Sequence, residues 1–161
     1  PVAEKITIQT GQGPITLRLG GTVDRIDAKD TTLRIVDYKT GGSPKTPANI
    51  EQLFTPSESR PNYIFQTFLY AAIMSRQQSL KVAPSLLYIH RAASESYSPV
   101  IEMGEPRQPK IPVSNFAFFE DEFREHLQRL LEEIFDENEP FTQTEDTKKC
   151  AYCDFKAICK R

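Results

Sequence analysis

Two aspartates and one lysine have residue types and spacings suited to metal-assisted hydrolysis. Asp24 lies in the segment Gly21–Asp27, and Asp37 and Lys39 lie in the segment Ile35–Gly41. Both segments have the extended pattern of strands, in which residues i and i+2 share one face. The side chains of Asp37 and Lys39 are therefore predicted to point the same way.

The predicted strand register brings the two aspartates together. We pair the strands across a turn at residues 28–31, with Asp27 opposite Thr32. In that register Asp24 and Asp37 are diagonal neighbours on one face, roughly 7–8 Å apart at the backbone. A slip of one residue would place them on opposite faces, so the prediction depends on the register.

Two carboxylates this close are typical of a site for one hard divalent cation. Their charges repel each other, and Mg²⁺ or Mn²⁺ relieves the repulsion while also binding water and phosphate oxygens. Such an ion acidifies a bound water, and Lys39 would hold that water or the scissile phosphate. The alternative is a surface hairpin with ordinary exposed charges. Against it, Asp37 ends an apolar strand, where an unused charge is costly.

A second group of polar side chains lies on a predicted helix. Tyr63, Gln66 and Tyr70 follow one another at i, i+3 and i+7 and therefore share a helical face. Side chains with this spacing either pack or are exposed in most helices, so the spacing alone assigns them no function.

The three cysteines form a compact group near the end of the chain. Cys150, Cys153 and Cys159 are too few and too close for a disulfide framework, and they have the spacing of metal ligands. Thiolates suit Zn²⁺ or an iron–sulfur cluster, and closed coordination needs a fourth ligand. His126 lies within a predicted helix and is interpreted as solvent-exposed. Three free thiols are the alternative.

The hydrophobic pattern predicts the elements that carry these residues. The first forty residues are predicted to form an antiparallel meander, and residues 40–61 a loop. The remaining predicted elements are a helix at 62–78, a strand at 86–90, a helix at 115–137 with Ser114 as its N-cap, and a tail from residue 140.

Composition limits the classes of function. The chain has 161 residues with 39% hydrophobic and 26% charged residues, which is typical of a soluble globular domain and excludes a disordered tail. Its net charge of −2 excludes a nucleic-acid binder that works by bulk charge alone. No apolar run approaches the ~20 residues of a membrane span, and we expect a cytoplasmic protein without a membrane partner.

Because the chain begins at Pro1, we expect it to be a piece of a longer chain.

The motifs resemble those of a known family. Gly-x-x-Asp-Arg-Ile-Asp at 21–27 and Ile-Val-Asp-Tyr-Lys-Thr-Gly at 35–41 are similar to the PD-(D/E)xK nuclease superfamily, and most closely to the RecB-type nuclease domains of AddB-like helicase-nucleases. The resemblance implies a restriction-endonuclease-like α/β (α+β mixed) fold, with an antiparallel meander in a mixed sheet flanked by helices. It implies that Asp24 and Asp37 ligate Mg²⁺ or Mn²⁺ and that Lys39 is catalytic.

The helix and the cysteines extend this resemblance. Gln66 and Tyr70 match the family's Gln-x-x-x-Tyr motif, which implies that they position the active site and DNA. The cysteines resemble the C-terminal triplet of iron–sulfur RecB-type nucleases. This implies a [4Fe-4S] cluster in the full-length protein, with the fourth cysteine upstream of this chain. The family's first motif, a His or Glu on a preceding helix, is missing, and Glu4 is not assigned that role.

We therefore expect one RecB-like nuclease domain over residues 1–161, with a cysteine-bearing tail at 140–161. The expected function is Mg²⁺- or Mn²⁺-dependent exonuclease hydrolysis of DNA phosphodiester bonds, together with a helicase domain or subunit in DNA repair and recombination. There are three alternatives. These are a stand-alone CRISPR-associated RecB-like exonuclease, a non-catalytic DNA-binding scaffold of the same fold, and a zinc-binding interaction module built on the cysteine tail.

Overall fold

Four strands come first along the chain, followed by two helices, three further strands and two more helices. The computed structural model describes residues 1–145 and 147–160, apart from the Lys149 side chain, so Arg161 of the predicted domain lies outside the described residues. The strands are β1 (Val2–Thr10), β2 (Gly13–Gly21), β3 (Arg25–Lys29), β4 (Thr32–Lys39), β5 (Lys81–Tyr88), β6 (Glu102–Met103) and β7 (Ile111–Pro112). The helices are α1 (Glu51–Phe54), α2 (Asn62–Gln77), α3 (Ala117–Ile134) and α4 (Thr147–Cys150).

The sheet that carries the predicted motifs is mixed, which confirms the expected fold class. Its order is β3-β4-β5, with β3 antiparallel and β5 parallel to β4. Parallel neighbours need a crossover connection, and α2 provides it. Helix α2 begins at Asn62, as predicted, and buries Ile64, Phe68 and Ile73.

The predicted meander is wrong in its connectivity. Strand β2 ends at Gly21 instead of continuing to Ile26, and β1 and β2 form a separate two-stranded sheet. Glycine weakens a strand and permits a close backbone approach. Both effects apply here, because a Cβ on Gly20 would lie 2.3 Å from the Val2 carbonyl oxygen and one on Gly21 would lie 2.6 Å from the Tyr70 hydroxyl.

The predicted register of β3 and β4 is also wrong. Asp27 pairs with Arg34 instead of Thr32, because the connecting turn has two residues and not four. Asp30, in that turn, has a φ of 53°, a left-handed conformation that Asp adopts in tight hairpins. The shift is by an even number of residues, so each side chain stays on its predicted face.

Two other predicted boundaries are wrong. Strand β5 begins at Lys81 and includes Pro84. Pro84 is tolerated because its nitrogen shares a side with that of Leu86, whose N–H donates to Pro99 and not to β4.

Helix α3 begins at Ala117, with Phe116 and not Ser114 at its N-cap position. Phe116 is fully buried and its backbone N–H donates to the Val82 carbonyl, which fixes where the helix starts. The predicted loop at 40–61 contains α1, which buries Leu53 completely. Among the described residues, no helix combines the length and the apolar character that crossing a bilayer requires.

An aromatic cluster joins the helices behind the mixed sheet. Phe123 of α3 is fully buried, and its ring centroid lies 5.3 Å from Phe54, 5.8 Å from Phe65, and 5.9 Å from both Phe68 and Phe116. Rings at these separations in tilted and edge-to-face arrangements add to the free energy gained by burial. The cluster therefore fixes α2 and α3 relative to each other.

Replacing Phe123 with Ala is expected to lower the free energy of unfolding by about 3–5 kcal/mol, because it leaves a cavity at the centre of the cluster. Phe118 lies on the same helix but is 83% exposed, so Phe118→Ala is the matched control and should change stability by no more than about 0.5 kcal/mol. Urea denaturation of both variants measures the difference. Equal losses would contradict the assigned packing of α3.

Candidate active site

Strand β4 delivers Asp37 into the interior of the protein. Ile35 and Val36 are buried, β3 and β5 pair along the two edges of the strand, and Asp37 itself is only 3% exposed. Charged side chains are rarely so buried without a partner. The structure therefore places Asp37 in the interior at the end of an apolar strand, and its role as a metal ligand stays a prediction.

Asp24 reaches the same end of β4 from the residue before β3. Its Oδ2 accepts a hydrogen bond of 2.8 Å from the backbone N–H of Tyr38. Since Arg25 pairs with Val36, Asp24 stands next in line to Asp37, directly across and not diagonal as predicted. The structure thus brings the two aspartates together in a different register. Asp24 remains exposed, whereas Asp37 is buried.

Lys39 is held between three groups. Its Nζ lies 2.5 Å from Asp37 Oδ2 and donates a hydrogen bond of 3.0 Å to Gln66 Oε1. The same nitrogen lies 4.3 Å from the centre of the Tyr63 ring, which is a cation–π contact. The predicted lysine and the predicted helix face therefore meet in one place.

The hydrogen bonds continue from Gln66 to Tyr70. Gln66 Nε2 donates to the Tyr70 hydroxyl oxygen over 3.1 Å, so Lys39, Gln66 and Tyr70 form one chain of hydrogen bonds between β4 and α2. Gly21 leaves room for Tyr70 at the end of this chain of hydrogen bonds, because a Cβ at position 21 would collide with the Tyr70 hydroxyl. Sequence analysis missed this packing role of Gly21. The available signal was the glycine three residues before Asp24.

The surroundings of Asp37 raise the pKa of its carboxyl group above the ordinary value. Burial raises the pKa of the Asp37 carboxyl, the Lys39 ammonium opposes that rise, and the negative charge of Asp24 adds to it. Asp37 Oδ2 is buried and receives no aligned hydrogen bond, although Lys39 Nζ is close. A buried carboxylate oxygen without a hydrogen-bond donor, with the charge of a second carboxylate nearby, fits a hard divalent cation such as Mg²⁺ or Mn²⁺.

The predicted cysteine ligands are not assembled around a metal. Cys150, Cys153 and Cys159 are free thiols of intermediate burial. In residues 1–145 and 147–160, no group of three or more His, Cys, Asp or Glu side chains is placed to hold a metal ion. Glu4, which sequence analysis left outside the site, lies 3.1 Å from Arg124 of α3 in an ion pair.

Comparison with known proteins gives one match. The family model of the PD-(D/E)XK nuclease superfamily matches residues 1–160. A search of the curated proteins finds no match. A search of the solved structures also finds none.

Replacing Asp37 with Asn is expected to raise the melting temperature in buffer containing EDTA at pH 7. The folded protein holds the Asp37 carboxylate at a raised pKa, so its ionised form lowers stability above that pKa. As pH falls through the raised pKa towards the ordinary range of an Asp pKa, the group becomes protonated in the folded state and the difference should disappear. Melting curves from pH 4 to 8 measure it.

Asp27→Asn is the matched control, with the opposite expected sign. Hydrogen bonds from Arg34 and then Arg25 lower the pKa of Asp27, so its charge stabilises the fold above the ordinary Asp pKa. The control should melt at a lower temperature than the wild type at pH 7 and lose that difference in acid. A lower melting temperature for both variants would contradict the assigned environment of Asp37.

Proposed function

Because the chain belongs to the PD-(D/E)XK nuclease superfamily, we propose that it hydrolyses DNA phosphodiester bonds with a divalent cation. The observation that carries the proposal is the contact of Lys39 with both Asp37 and Gln66 at the end of β4. This contact joins the proposed metal ligands to the proposed catalytic lysine and to α2. Asp24, Asp37, Lys39, Gln66 and Tyr70 are the proposed site residues.

Asp24 and Asp37 would hold Mg²⁺ or Mn²⁺ through their carboxylate oxygens. Bound there, the ion would neutralise charge on the scissile phosphate and acidify a water molecule. Asp37 would supply the ion with a buried oxygen that has no aligned hydrogen-bond donor. Asp24 would supply an exposed carboxylate that the Tyr38 N–H already orients. One ligand is therefore fixed by burial and the other by a backbone hydrogen bond.

Lys39 would donate a hydrogen bond to the scissile phosphate or to the attacking water. An ammonium group has three N–H donors. Asp37, Gln66 and the Tyr63 ring surround Lys39 Nζ, and an N–H that is not bonded to Gln66 would serve the substrate. Because Gln66 is itself bonded to Tyr70, the position of the ammonium group is set before DNA arrives. Such preorganisation stabilises a transition state without reorganisation at the moment of reaction.

The finer assignments are also proposals, supported by the resemblance of the motifs. We propose a single RecB-like, AddB-like exonuclease domain over residues 1–161, with its tail at 140–161, acting in the cytoplasm with a helicase domain or subunit in DNA repair. A stand-alone CRISPR-associated exonuclease is the alternative within the class. A [4Fe-4S] cluster on the cysteine triplet is proposed only for a longer chain that supplies a fourth ligand, and the described residues give it no support.

Lys39→Ala is expected to lower the cleavage rate by about 10²–10³-fold, because it removes a charged donor aimed at the reacting phosphate. End-labelled single- and double-stranded DNA with Mn²⁺ or Mg²⁺ is the assay, and EDTA should abolish cleavage. Lys29→Ala, at an exposed position of β3, is the matched control and should cleave normally. Absence of cleavage by the wild type, with DNA binding intact, would reject the enzyme and favour the non-catalytic scaffold.

Tyr70→Phe is expected to lower kcat by about 2- to 10-fold, the effect of losing one neutral hydrogen bond, and Gln66→Leu by about 10- to 100-fold, because it removes the bond to the Lys39 ammonium. Since Tyr70 contacts Lys39 only through Gln66, the double variant should be no slower than Gln66→Leu. Tyr152→Phe, at a 95% exposed position, is the control and should leave kcat unchanged. Additive losses would show that Tyr70 acts independently of Gln66.

A further inference from the structure

Two neighbouring cavities extend from the Lys39 end of the site. One, of about 250 Å³, is lined by residues that include Gly42, Arg60 and Tyr63. The other, of about 310 Å³, is lined by residues that include Arg91 and Tyr97. Lys45, Ile64 and Tyr88 line both cavities, so the two adjoin. We call this continuous depression the Tyr63 groove.

Tyr63 presents an aromatic ring at the end of the groove nearest to Lys39. Its side chain lies against Lys39 Nζ, and its ring centroid lies 6.5 Å from that of Tyr88. Gly42 passes close to the ring, since a Cβ there would lie 3.2 Å from it. The ring is thus held by its neighbours, yet Tyr63 remains 41% exposed. An exposed aromatic residue with fixed neighbours is suited to receive another flat ring.

Two cations, Lys45 and Arg60, line the smaller cavity together with Tyr63, and the Arg60 guanidinium also lies 5.1 Å from the centre of the Phe65 ring. Lys45 Nζ donates to the carbonyls of Ser59 and Arg60, and Arg60 Nε donates to the carbonyl of Leu53. In the part of the chain that the structure describes, neither forms an ion pair. The lining also holds two acidic residues, Glu58, which is paired with Lys148 at 2.9 Å, and Glu102 in the larger cavity. Three cations, Lys45, Arg60 and Arg91, therefore line the groove against two carboxylates, one of which is already paired.

We infer that Tyr63 is the stacking platform for one unpaired nucleobase beside the scissile phosphate, and that Lys45 and Arg60 bind the phosphate of the same strand. The inference rests on the proposed function and specifies its substrate as a single strand or a frayed end. A base can stack on Tyr63 only when it has left the duplex. Because the whole chain has a net charge of −2, local stacking must contribute much of the binding.

The first experiment measures binding without metal, so that it does not depend on cleavage. A single-stranded oligonucleotide with one 2-aminopurine is titrated with the protein in EDTA, and anisotropy and fluorescence quenching are recorded. Tyr63→Leu is expected to bind about 10-fold more weakly and to lose the quenching, because stacking of one base is lost. Tyr63→Phe should retain both properties. Phe118→Leu, at an 83% exposed position outside the groove, is the control and should match the wild type.

The second experiment separates stacking from support of Lys39. An oligonucleotide with an abasic site at the most strongly quenched position removes the base instead of the tyrosine. Tyr63→Leu should then cause no further loss of binding on the abasic strand. Equal binding of the wild type and Tyr63→Leu to the intact strand would overturn the inference and leave the proposed function standing. Absence of cleavage with the expected binding pattern would reject the proposed function and the placement beside a scissile phosphate, while base stacking on Tyr63 would stand.

Discussion

The structure around the site depends on the burial of one carboxylate. Asp37 lies at the end of an apolar strand with its Oδ2 removed from water, and its nearest cation is Lys39. A buried charge is destabilising unless it is paired, and here the pairing is incomplete, since burial still raises the pKa of Asp37. Such an arrangement persists only when the surrounding packing stabilises the fold by more than the charge destabilises it. The aromatic cluster around Phe123 provides that packing.

The surrounding elements fix the groups that face this carboxylate. The parallel pairing of β4 and β5 requires a crossover, and α2 forms it. Gln66 of this helix accepts a hydrogen bond from Lys39 and donates one to Tyr70. The break between β2 and β3 also positions side chains around Asp37. Glycine at position 21 leaves room for Tyr70, and the residues after it bring Asp24 to the Tyr38 N–H. Helix α2 and the break between β2 and β3 therefore both position side chains around Asp37 and Lys39.

Sequence analysis predicted the strongly periodic parts of this arrangement and missed those set by long-range contacts. Helix α2 was predicted at its first residue because its apolar stripe has helical spacing. The register of β3 and β4 was wrong, because the left-handed Asp30 shortens the turn. The faces of Asp24 and Asp37 were still correct, since strand periodicity depends only on whether a residue number is odd or even. The Tyr63 groove joins residues from separate segments, and no local pattern could reveal it.

The charge balance connects metal binding to nucleic-acid binding. With a net charge of −2, the chain lacks the bulk positive charge that draws DNA to most binders. In the proposed function, Asp24 and Asp37 add negative charge at the scissile phosphate, so a cation held between them would change the local potential from repulsive to attractive. Lys39, Lys45 and Arg60 would supply the remaining positive charge along the proposed path of the strand. Occupation of the metal site and of the groove should therefore strengthen each other, since coupling between two sites is reciprocal.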